Sequence, residues 1–128
     1  MLSLRTFIGL NAGAGIAFGV VLVAAPSLLL DLYGIPGGQG AHLFARMFGA
    51  ELLGLNVPCW FARENPTGGG AALCVMAHAI AETLLFAVTL GAAIAGVGNM
   101  MVWSVVAIFA FFAGGNLWFI FAAGRRAQ

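Results

Sequence analysis

Only nine of the 128 residues are charged, lysine is absent, and the net charge is +1. Hydrophobic residues make up 62% of the chain and charged residues 7%, where an ordinary soluble domain carries about 25% charge. The balance points to an integral membrane protein, provides no basic patch for nucleic acid and no polybasic lipid-binding segment, and leaves room for one bundle and no second domain.

The run from Thr6 to Leu30 has no charge. A membrane helix needs about 20 apolar residues, and the first span is predicted over about 7–25. That run is long enough to stay in the membrane and lacks the form of a cleaved signal peptide. Pro26 ends it, because proline has no N–H for the helical ladder. SLLLDLY (27–33) reads as a short helix lying at the interface, and GIPGGQG (34–40) as a loop. The second span is predicted over about 41–61 and is followed by the polar turn RENPTGGG (63–70). The third covers about 71–97, Gly98 and Asn99 form a tight link, and the fourth covers about 101–123 before the end GRRAQ. The predicted fold is all-α: one transmembrane domain, a four-helix bundle with an interfacial helix after span one.

Arginine placement sets the expected orientation. With the N-terminus inside, Arg5, Arg63, Arg125 and Arg126 are cytoplasmic and only Arg46 belongs to the outer half. Short loops follow this positive-inside bias. Trp103 then sits at the outer interface, and Trp60 and Trp118 toward the inner one. The small-residue pairs Gly9/Gly13, Gly15/Gly19, Ala50/Gly54, Gly91/Ala95 and Ala110/Gly114 allow close helix approach in lipid. Contacts within the bundle are their expected use.

The informative charges are Glu51 and Glu82, both near the centres of spans. A carboxyl group there costs roughly 2.5–3.5 kcal/mol unless paired, protonated or wetted. His78 precedes Glu82 by one helical turn, and Thr89 continues the same face. At 1.5 Å rise per residue, His78, Asn11, Asn56 and Asn116 fall at one depth in the inner half, one from each span. Glu51 points roughly 140° away from both Arg46 and Asn56 on its own helix, at about 100° per residue. Arg46 can snorkel outward. Glu51 therefore needs a partner on another helix or another subunit, with His78 or Glu82 the nearest candidates. If the two carboxyls meet, at least one must be protonated. This polar layer reads either as interhelical glue or as a proton-, cation- or ligand-responsive site.

Other chemistry finds little support. His42 and His78 lie at different depths and do not suit one haem. Glu51, His78 and Glu82 lack a second histidine for a convincing metal site. Cys59 and Cys74 occupy similar depths on adjacent spans, but there is no CxxC pair and the cytoplasmic side is reducing, so buried free thiols are expected. No Ser-His-Asp set, phosphate loop or dinucleotide fingerprint is present. Asp31 reads as a solvated interfacial acid. Phe109, Phe111, Phe112, Phe119 and Phe121 read as lipid contacts and packing. No cofactor is expected.

The segments LFARMFGAELLGLNVPCWFAR (43–63) and APSLLLDLYG (25–34) resemble small bacterial four-helix inner-membrane proteins of the DoxX-like kind. The arginine heading span two, the small-residue pair after it and the Pro-plus-LYG end of span one carry the likeness, over about half the chain. It implies a four-helix bundle and no agreed activity. Small multidrug resistance transporters also have four short helices and a membrane glutamate, but in the first span, where this chain has only Asn11. The expected function is that of a non-enzymatic accessory, assembly or lipid-binding subunit in the inner membrane, with lipids and a homo-oligomer or larger complex as partners. The alternative is a proton-coupled small-molecule transporter using Glu82, Glu51 and His78.

Overall fold

The computed structural model describes residues 2–126; Ala127 and Gln128 of the GRRAQ end lie outside the described residues. Five helices follow one another: α1 (Leu4–Ala24), α2 (Pro26–Leu32), α3 (Gln39–Ala62), α4 (Gly69–Ile94) and α5 (Val102–Arg126). Three of them, α1, α4 and α5, are long and apolar enough to cross a membrane. The polar groups Arg46, Glu51 and Asn56 keep α3 out of that class, although its 24 residues match the others in length.

Local chemistry explains the boundaries. Ser3 caps α1, its hydroxyl accepting from the Thr6 N–H at 3.2 Å, which satisfies one orphan donor of the first turn. Pro26 ends α1 and starts α2, since a first-turn residue needs no N–H. The α4–α5 turn uses Gly96 and Gly98 at φ of 74° and 78°, a region that side-chain-bearing residues avoid. Asn99 then ties this turn to the end of α2. Its side-chain amide donates to the Leu32 carbonyl at 2.9 Å and its backbone N–H to the Tyr33 carbonyl at 2.8 Å.

The helices pack as two antiparallel pairs, α1 with α3 and α4 with α5. The closest approach of α1 and α3 is backbone on backbone. A Cβ on Gly19 would lie 2.9 Å from the Gly49 carbonyl oxygen, and one on Gly49 would lie 2.8 Å from that of Gly19. Glycine is what allows this distance.

The pairs join at the end that carries the N-terminus and the α3–α4 turn, here the terminal end. Phe7 of α1 packs against Phe111, Phe112 and Phe119 of α5 at ring-centroid distances of 6.2, 5.9 and 5.2 Å. Arg5 pairs with Glu64 at 2.6 Å, with both side chains exposed. Cys59 and Cys74 form a disulfide between α3 and α4. This corrects the expectation of free thiols. The short α3–α4 turn brings the two helix ends together, so disulfide geometry needs no CxxC spacing.

The outer surface is apolar. Phe44, Phe61, Leu73, Val88 and Ile94 are among its exposed side chains. A monomeric soluble protein rarely leaves so much hydrocarbon exposed, whereas lipid solvates it at no cost.

Candidate functional site

Five polar residues meet between the helix pairs. Asn11, Asn56, His78, Glu82 and Asn116 are all buried. An unpaired polar group there costs free energy, so each position must be read through its partners.

Glu82 is 5% exposed and accepts a hydrogen bond from Asn116 Nδ2 at 2.8 Å. Asn116, 1% exposed, also donates to the Phe112 carbonyl at 3.0 Å. Asn11 of α1 is buried in the same layer. Glu82 thus joins α4 to α5.

His78 joins α4 to α3. Its Nδ1 lies 2.8 Å from the Cys74 carbonyl, an oxygen that can only accept, so Nδ1 carries a proton and donates. Nε2 lies 2.9 Å from Asn56 Oδ1, while Asn56 Nδ2 donates to the Leu52 carbonyl at 2.8 Å. An amide oxygen also only accepts, so this arrangement places a second proton on Nε2. Turning the Asn56 amide over presents Nδ2 instead and suits a neutral ring. That flip would also set Oδ1 against the Leu52 carbonyl, acceptor facing acceptor, so the orientation that bonds Leu52 is the one that faces an Nε2 proton.

Above this layer, toward α2, the helix pairs diverge around a cavity of about 490 Å³. That volume falls within the range of about 300–1,000 Å³ typical of small-molecule sites. Its walls are apolar apart from Tyr33 and Thr89, and Asn11, Asn56, His78 and Glu82 form its polar floor. Thr89 spends its hydroxyl proton on the Leu85 carbonyl at 2.7 Å. Leu29 and Leu30 of α2 cover the far end. Phe44 lines the cavity and is 70% exposed, so the space opens to the outer surface along α3.

Five of the seven sequence-derived site residues therefore come together: Asn11, Asn56, His78, Glu82 and Asn116. Glu51 and Arg46 do not. Both are exposed on α3, roughly 140° apart around the helix, and neither side chain makes a hydrogen bond or ion pair among the described residues. The expected pairing of Glu51 with His78 or Glu82 is thus corrected. Those two groups are held by asparagines, and the two carboxyls need not share a proton. Glu51, His78 and Glu82 likewise do not converge as metal ligands; no group of three ligating side chains does so among the described residues.

Sequence reasoning missed three features. The disulfide lies directly beside the polar layer, with Cys59 Sγ 3.9 Å from His78 Nδ1. Phe109 and Phe112, read as lipid contacts and packing, line the cavity. Arg63 folds back over the Trp60 ring, 3.5 Å from its centroid, and lies against Gly9. Arginine three residues after tryptophan on a helix was the available signal for that contact. Comparison with family models, curated proteins and solved structures finds no match to this chain.

Proposed function

We propose that this chain is a non-enzymatic membrane protein that binds a lipid-soluble molecule bearing a small neutral polar head, and serves as a lipid-binding or accessory subunit. The observation that carries the reading is the apolar cavity with its polar floor. The walls suit an aliphatic or ring body. At the floor, Asn56 is committed to Leu52 and His78, and Asn116 to Glu82 and Phe112. Capacity remains on the Glu82 carboxyl and the Asn11 amide. Acceptor and donor side by side fit a hydroxyl head, which donates to one and accepts from the other.

The reading treats α3 as a fourth span, with α2 at the interface. Its close packing along α1 supports this. The arginine bias supports an inner-membrane protein with both termini cytoplasmic. The disulfide then lies on the reducing side, but its half-cystines are 2% and 9% exposed, which shields them from soluble thiols.

A photoactivatable long-chain alcohol in detergent micelles tests the cavity. It should label Phe48 and Leu85, compete with unlabelled alcohol and label several-fold less in Glu82→Leu. Labelling confined to outward residues such as Leu73 and Val88 would refute the reading.

One observation favours a second reading, proton-coupled transport. His78 and Glu82 are ionisable, buried and one turn apart, and each is hydrogen-bonded to an asparagine of a neighbouring helix. Proton uptake on ligand binding, lost in His78→Phe, would shift the assignment from binding protein to transporter.

A further inference from the structure

Most of the polar groups at mid-helix depth have partners inside the bundle, but Arg46 and Glu51 do not. Both are exposed on α3: Arg46 at the edge bordering α1, where Leu53 seven residues on packs against Gly19, and Glu51 roughly 140° further round, with Met47, Ala50, Gly54 and Phe61 on the arc between them. A Cβ built on Gly54 meets nothing within 4 Å. Gly49 on the opposite face is fully used against α1. Nothing within the chain therefore explains the small residue at 54 or the two charges beside it.

The geometry of the face says what would. Taking Ala50 as its centre and about 100° per residue, Arg46 lies roughly 40° to one side and Glu51 roughly 100° to the other. Two copies in one membrane share the same orientation, so the axis relating them is parallel to the bilayer normal. A two-fold interface is self-complementary: residue i of one chain meets j of the other, and j meets i. About such an axis, a residue to one side of the contact faces one from the other side of the partner helix. Arg46 thus falls on the same flank as Glu51 of the partner subunit, and the reciprocal pair forms on the opposite flank. The two residues are about 7–8 Å apart along the axis. Helical side chains lean toward the helix N-terminus, so Glu51 leans toward the level of Arg46. The arginine stem covers the remainder.

We propose that the outward face of α3 pairs with the same face of a second copy of this chain, Ala50 and Gly54 setting the close approach and Arg46 of each chain bonding Glu51 of the partner subunit. The proposal rests on α3 being a membrane span, as in the reading above, but not on the cavity.

Charge exchange tests it. With no lysine present, the α-amino group accepts donor and acceptor fluorophores, and energy transfer in phosphatidylcholine vesicles at decreasing protein-to-lipid ratio reports dimerisation. Arg46→Glu and Glu51→Arg should each weaken the dimer roughly tenfold or more, the scale of losing one partner of a desolvated charge pair. The double exchange should restore it. Should a single exchange fail to insert, Arg46→Gln and Glu51→Gln provide the same reading with less perturbation. A parent protein that is monomeric at every dilution, or single variants that dimerise like the parent, would overturn the pairing. A monomer that still binds the long-chain alcohol overturns the pairing alone. A dimer that does not bind it supports the pairing and overturns the cavity reading.

Discussion

Replacing Asn56 by leucine tests whether the polar layer holds the helix pairs together. Leucine has nearly the same shape, so packing changes little, but His78 Nε2 loses its partner in a site where Asn56 is 2% exposed and His78 4%. Leaving a buried polar group unsatisfied costs about 1–3 kcal/mol. The membrane lowers that figure, because the unfolded chain in lipid finds other partners. Interhelical bonds there average about 0.6 kcal/mol and reach about 1.7. The Asn56–His78 bond is short and fully enclosed, so a loss near the upper membrane value, about 1.5 kcal/mol, is expected. His78→Phe should cost a similar amount. In the double variant both partners are apolar and no group is stranded, a change that can be nearly neutral. The double variant should therefore cost less than the sum of the two, with a coupling of at least about 1 kcal/mol. Equilibrium unfolding in mixed micelles measures all four corners of the cycle. Additive losses, or an Asn56→Leu variant as stable as the parent, would refute the bond.

Two further outcomes follow from the packing and one from the arginine bias. Gly49→Ala forces α1 and α3 apart by roughly half an ångström, since a Cβ at 49 would sit 2.8 Å from the Gly19 oxygen, and overpacking of this kind costs about 1–3 kcal/mol; Gly54→Ala in the micellar monomer, with open space around it, should be stable to within about 0.5 kcal/mol, and equal stability of the two would refute the contact. Protein denatured without reductant should resist alkylation at both cysteines, and replacing the pair should cost up to about 3 kcal/mol for a loop of this length, less where the α3–α4 turn already restricts the unfolded chain; free thiols would refute the bridge. On the orientation proposed from the arginine bias, a cysteine introduced at Thr67 should react from the cytoplasmic side and one at Gly38 from the other, whereas reaction of Gly38→Cys from inside alone would reverse it.

The layer of Asn11, Asn56, His78 and Asn116 was legible because hydrocarbon leaves a polar side chain few options. Depth along the helix and angle around it then select its partners. Glu82 was legible for the same reason, through its spacing from His78. Glu51 was misassigned by seeking an interior partner. Its angle to Asn56, roughly 140°, already directed it away from the face that Asn56 shows the bundle, and the structure places it outside. The disulfide was weighed by motif and compartment, but distance decides it, and distance depends on how tightly the eight residues RENPTGGG turn. The cavity had no sequence signal. It arises where two helix pairs fail to meet, which is a property of their packing and not of any one residue.

That failure to meet gives the molecule two unlike halves. At the terminal end a disulfide, the Phe7 cluster and the His78–Asn56 bond connect the pairs covalently, by packing and by hydrogen bonding. At the other end the connection is carried by α2 and by the two hydrogen bonds from Asn99. Between them the cavity walls are apolar and give water no partner above the polar floor. In a bilayer the alternative occupant is hydrocarbon, with no hydrophobic penalty for entering or leaving. An acyl chain can therefore fill the space, and aliphatic contact alone cannot select one molecule from the surrounding lipid. Selection must come from the floor, where Glu82 and Asn11 present the hydrogen-bonding capacity that a bare chain leaves unused. A molecule that satisfies both groups gains what an acyl chain forfeits, and on the proposed reading this difference is what would select a ligand in a site otherwise built like the membrane around it.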